Sequence, residues 1–151
     1  MSERTPLAYW GGRQGKRWRR LDAYFVASAA SLAALFLVAE VLTRVLGSPR
    51  DLEFSAWEMW LIGVGFSLLA TGISTVMLAV AVLVRRWFQP DIVFRSVRMA
   101  VVAGIAQALL AAGVVGLMAL HALPDRPEWL WSCFAVYPVL VMPVLTRRRA
   151  G

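Results

Sequence analysis

The stretch Ala56–Val84, AWEMWLIGVGFSLLATGISTVMLAVAVLV, decides the fold, because it carries a single charged side chain, Glu58, beside its first end. About 20 apolar residues in a helix cross a ~30 Å hydrocarbon layer, and this run is long enough to cross with a tilt. Three further apolar runs flank it, so the sequence predicts transmembrane helices over 23–46, 56–84, 99–123 and 129–145. The fourth is at the short end for a span. The remainder is a basic N-terminal segment, 1–22, a basic tail, 146–151, and connections too short for a soluble module. The expected fold is therefore an all-α integral membrane protein, an antiparallel four-transmembrane-helix bundle forming one membrane domain.

Composition agrees. Hydrophobic residues make up 60% of the chain and charged residues 17%, against roughly 25% charged in a soluble domain. The net charge of +7 would suggest nucleic acid in a soluble protein. Beside membrane spans, basic residues instead set topology and attract anionic headgroups, so lipid rather than nucleic acid is the expected partner. Cys133 and His121 each stand alone, which excludes an intrachain disulfide, a haem held by two histidines and a two-histidine zinc site. No cofactor is expected.

Orientation follows from where the basic residues fall. Arg4, Arg13, Lys16, Arg17, Arg19 and Arg20 precede the first span; Arg85, Arg86, Arg95 and Arg98 separate the second from the third; Arg147, Arg148 and Arg149 follow the fourth. Only Arg44, Arg50 and Arg126 of the 16 basic residues lie on the other side. The positive-inside rule then places both termini in the cytoplasm of a cell whose inner membrane holds the protein. Trp57, Trp60, Trp129 and Trp131 mark the outer headgroup level, and Trp18, Tyr24 and Trp87 the inner one. A cleavable signal peptide is the competing reading of the N-terminus, but the apolar run is too long and lacks a clean small-residue cleavage site.

Turn chemistry punctuates the spans. Gly47-Ser48-Pro49 ends the first, Ser55-Ala56-Trp57-Glu58 is a capping box opening the second, and Gln89-Pro90-Asp91 breaks the chain after it. Within the second span Gly63, Ser67, Thr71, Thr75 and Ala79 recur every fourth residue. Ala100, Gly104, Ala108, Ala112 and Gly116 do so within the third. Lipid gives helices no hydrophobic reason to associate, so they pack through small residues that let backbones approach. The two ladders predict a close crossing of spans two and three, or a contact with another copy or a partner subunit. Span one has a weaker small face at Ala23, Ala27, Ser31 and Ala34. In the fourth span Pro138 and Pro143 each remove a helical hydrogen bond, making a kink or hinge and leaving carbonyls such as that of Phe134 in need of a donor.

Polar residues inside a bilayer are the candidates for function. Glu40 lies toward the outer edge of the first span with Arg44 four residues on, the favourable order for a helical ion pair. It reads either as an interfacial pair or as a proton- or cation-binding carboxylate. Gln107, near the centre of the third span, reads as interhelical glue or a substrate contact. His121 ends that span, with Asp125 and Glu128 following, and reads as solvated or as part of a pH-sensing cluster. No nucleophile motif, phosphate-binding glycine loop or acid/base pair is present.

The expected function is thus non-catalytic: an accessory or scaffold subunit of a membrane assembly, acting through helix packing and a basic cytoplasmic edge. A homo-oligomeric transporter or pore for an ion or cationic solute is the alternative, followed by an immunity or exclusion protein.

Overall fold

The computed structural model describes residues 7–46, 55–122, 124 and 126–148. The turn Gly47–Pro49, the outer residues Arg50, Asp51, Glu53 and Asp125, and the terminal Arg4 and Arg149 lie outside them. The element order is α1 (Leu7–Val45), α2 (Ala56–Phe88), β1 (Ile92–Phe94), α3 (Val97–Ala119), α4 (Pro127–Ala135), α5 (Tyr137–Leu145) and β2 (Thr146–Arg148). Four helical stretches are long and apolar enough to cross a membrane: Arg19–Val45, Trp57–Phe88, Val97–Ala119 and Pro127–Leu145.

Two differences from the sequence expectation concern the ends of these stretches. Helix α1 begins at Leu7, well ahead of residue 23, and no proline interrupts it. The segment after Leu145 is not a loose tail. Thr146–Arg148 pairs antiparallel with Ile92–Phe94, in the register Ile92 with Arg148, Val93 with Arg147 and Phe94 with Thr146. The triplet Ile92-Val93-Phe94 is β-branched and aromatic, a strand signal, and it follows the Pro90-Asp91 turn. Its alternate side chains Ile92 and Phe94 are buried.

Side chains fasten this two-stranded clip to the helices. Arg20 Nη1 donates to the Phe94 carbonyl at 2.6 Å, and Arg85 Nη1 to Thr146 Oγ1 at 3.2 Å. The clip therefore gathers the basic end of the molecule, where α2 and α5 finish and α3 begins. Tyr24, Leu78, Phe94, Ala100 and Leu145 form the core beneath it, and Ala70, Ala111 and Phe134 form a second cluster further along the helices.

The capping box forms as read. Ser55 N–H donates to Glu58 Oε2 at 2.7 Å, and Glu58 N–H donates to Ser55 Oγ at 3.3 Å. At the far end of α3, Ala122 N–H reaches the Leu117 carbonyl at 2.9 Å and His121 N–H the Met118 carbonyl at 3.0 Å. That bonding pair is a Schellman motif, with His121 at its left-handed position (φ 56°).

The expected close crossing of α2 and α3 does not occur. Their backbones hardly approach, and both pack their backbones on α1 instead. The two glycines show how. A Cβ on Gly104 would stand 2.7 Å from the Tyr24 carbonyl oxygen and 3.0 Å from the Ser28 nitrogen, so α3 meets α1 backbone to backbone there. A Cβ on Gly63 would overlap the Phe36 ring, so α2 meets α1 through a glycine seated on an aromatic face. Small-residue spacing announces that something comes close; it does not say which helix. Ser67 and Thr71 are fully buried, but their hydroxyls, and that of Thr75, bond back to carbonyls four residues earlier in α2. The hydroxyls of this ladder are spent within their own helix.

Candidate functional site

The centre of the molecule is a buried polar network organised by Gln107. Its side-chain oxygen accepts from the Tyr24 hydroxyl and from Ser28 Oγ (3.4 Å), both on α1. Its Nε2 donates to Ser74 Oγ on α2 at 2.6 Å and approaches the Cys133 carbonyl on α4 at 3.5 Å. A glutamine amide has two acceptor and two donor positions, and here each has a partner. One side chain on α3 thereby ties together α1, α2 and α4.

Ser74 extends the network. It accepts from Gln107 and donates its own proton to the Phe134 carbonyl at 2.8 Å. Pro138 has no N–H, so it cannot supply the helical bond to the carbonyl four residues before it, which is that of Phe134. The chain breaks there between α4 and α5, and a serine from another helix supplies the missing donor. Tyr137, at the same break, donates to the Ala103 carbonyl of α3 at 2.9 Å.

Tyr24, expected at the inner headgroup level, is instead fully buried with its hydroxyl on Gln107, and the sequence does not mark Ser28 or Ser74 as partners. The signal for Ser74 was present only as a demand, the orphaned Phe134 carbonyl, with nothing to indicate the supplier. The expected outcome of Ser74→Ala is a loss of about 1 kcal/mol, the scale of interhelical bonds in membrane proteins. In a Pro138→Ala background the restored N–H can take the Phe134 carbonyl, so the Ser74→Ala penalty shrinks. Reversible unfolding of the four proteins in detergent checks this; equal penalties in both backgrounds would show that the Ser74–Phe134 bond contributes nothing.

The other candidates lie elsewhere. Glu40 is nearly buried and accepts from Arg44 Nε at 2.8 Å, a helical i,i+4 ion pair toward the end of α1, remote in sequence position from the Gln107 network. His121 is exposed at the end of α3, and Asp125 of its suggested cluster lies outside the described residues. Gly116 and Ala112 line a cavity, and nothing stands within 4 Å of a Cβ placed on Gly116.

That cavity, of about 650 Å³, opens among α1, α2, α3 and α4 on the side of the molecule away from the strands. It lies between the far halves of α2 and α3, lined by Gly63 and Ser67 of the one and Ala112 and Gly116 of the other. Phe66 and Leu130 line it and also pack on the Ala70, Ala111 and Phe134 cluster. A second hollow of about 450 Å³, at the turn between α3 and α4, shares the walls Val115 and Leu130 and includes His121. Compared with protein-family models, curated proteins and solved structures, the chain matches none of the three.

Proposed function

We propose that the chain is a multipass inner-membrane protein with both termini in the cytoplasm, an antiparallel bundle serving as a non-catalytic accessory subunit of a membrane assembly. The observation that carries this reading is the saturation of Gln107. The polar groups deepest in the helical layer are bonded to one another and to backbone carbonyls, leaving no amide position for a solute. Such a network fixes how helices sit together. A conduction path through the same point would have to break it.

The distribution of charge supports the orientation, with Arg20, Arg85, Arg95 and Arg147 all at the strand-clipped end. Basic residues there suit a cytoplasmic surface facing anionic lipid. The transporter alternative rests on Glu40, Gln107 and the broken fourth span lining one route, whereas Glu40 is paired with Arg44 on its own helix and Gln107 with Tyr24, Ser28 and Ser74.

Purification from native membranes in a mild detergent, followed by mass spectrometry of the intact species, tests the accessory role. Co-recovery of a second membrane protein at fixed stoichiometry is expected. Recovery solely as an isolated monomer would sink it, and flux in vesicles lost in Glu40→Gln would favour the transporter.

A further inference from the structure

We propose that the 650 Å³ cavity holds one acyl chain of a phospholipid from the leaflet opposite the basic end. This rests on the membrane placement above but not on the accessory role. The volume equals about twenty waters at ~30 Å³ each. Water does not fill such a space, because each molecule needs two to four polar partners and the walls are aliphatic and aromatic side chains with almost no polar surface.

Height selects the occupant. The α2 wall runs from Met59 to Ser67, about 12 Å along a helix rising ~1.5 Å per residue. One leaflet is half of a ~30 Å hydrocarbon layer, so the cavity is about one leaflet tall. It ends inward at the packed Ala70, Ala111 and Phe134 cluster, which closes it before the Gln107 network. A hydrocarbon chain entering from the far surface fits this blind slot. The adjoining hollow shares Val115 and Leu130 and continues the slot toward the end of α3, where His121 is its one polar side chain. Stacked Trp57 and Trp60, with centroids 5.2 Å apart, stand at the start of α2, where indoles favour the headgroup level. The small residues at Ala112 and Gly116 thus make room for lipid and not for a neighbouring helix.

Full-length protein in vesicles of phosphatidylethanolamine and phosphatidylglycerol, containing a phosphatidylethanolamine with a diazirine midway along one chain, provides the test. After irradiation, peptide mapping is expected to place adducts at Phe36, Met59 and Val115. Gly116→Phe fills the slot, since a Cβ there meets nothing within 4 Å, and should reduce those adducts several-fold. Gly65→Phe, equally uncrowded but exposed outside the slot, should leave them unchanged. Adducts confined to outward residues such as Leu69 and Val76, or equal labelling in Gly116→Phe, would overturn the proposal. So would an unlabelled cavity in a protein that runs as a dimer, which assigns the space to a second copy. Flotation separates the two levels: a chain that floats with the vesicles but gives no cavity adducts refutes the lipid site alone, and one that does not float refutes the membrane reading as well.

Discussion

Gly104→Val is expected to lower stability by about 1–3 kcal/mol, the usual cost of overpacking a close contact. The reason is geometric. The first carbon of any side chain at this position would stand 2.7 Å from the Tyr24 carbonyl oxygen and 3.2 Å from Ala27 Cβ. The nearest obstacle is backbone, which cannot rotate aside, so α1 and α3 must separate. Separation strains the Tyr24 and Ser28 bonds to Gln107, because those residues sit on the same turn of α1 that Gly104 touches. A thermal transition in detergent should fall by several degrees, at about 2–4 °C per kcal/mol for a chain of this size. Gly113→Val is the control, since nothing lies within 4 Å of a Cβ there. Equal transitions for the two variants would mean that α1 and α3 do not meet at Gly104.

That contact shows where the sequence stops being informative. The four apolar stretches were legible because each sums about 20 residues of transfer free energy, so a few misjudged positions change nothing. The capping box and the Glu40–Arg44 pair were legible because they are local, with partners three or four residues apart on one helix. The ladder through Gly104 was legible as a close approach but not as an approach to α1. Any backbone satisfies a glycine, and the choice among neighbours belongs to the whole packing. The strands fell outside the reading for a related reason. Ile92–Phe94 is a short apolar triplet in a chain dominated by helical periodicity, and its partner, Thr146–Arg148, is distant in sequence and reads only as a basic tail. Gln107 was identifiable as the one strongly polar side chain near the centre of the third span. Its four partners come from three other helices, and no spacing in the sequence encodes them.

Gln107→Leu is expected to cost about 1–3 kcal/mol, through donors left unpaired more than through lost volume. Leucine fills similar space, but the Tyr24 hydroxyl loses its acceptor in a fully buried position, and Ser74 loses the donor that oriented it. Ser28 can turn to its own helix, as Ser67 does, and Ser74 keeps the Phe134 carbonyl. Most of the penalty therefore belongs to Tyr24, and a double-mutant cycle isolates it. Tyr24→Phe alone removes one bond and leaves the amide oxygen with Ser28. Combined with Gln107→Leu it removes the stranded hydroxyl, so the double variant should be more stable than the sum of the single losses predicts. Detergent unfolding at several denaturant concentrations gives all three differences. If the two losses simply add, Tyr24 and Gln107 are not bonded in the folded protein. The closed polar centre on which the accessory reading stands would then be open, and Gln107 would become available to a solute.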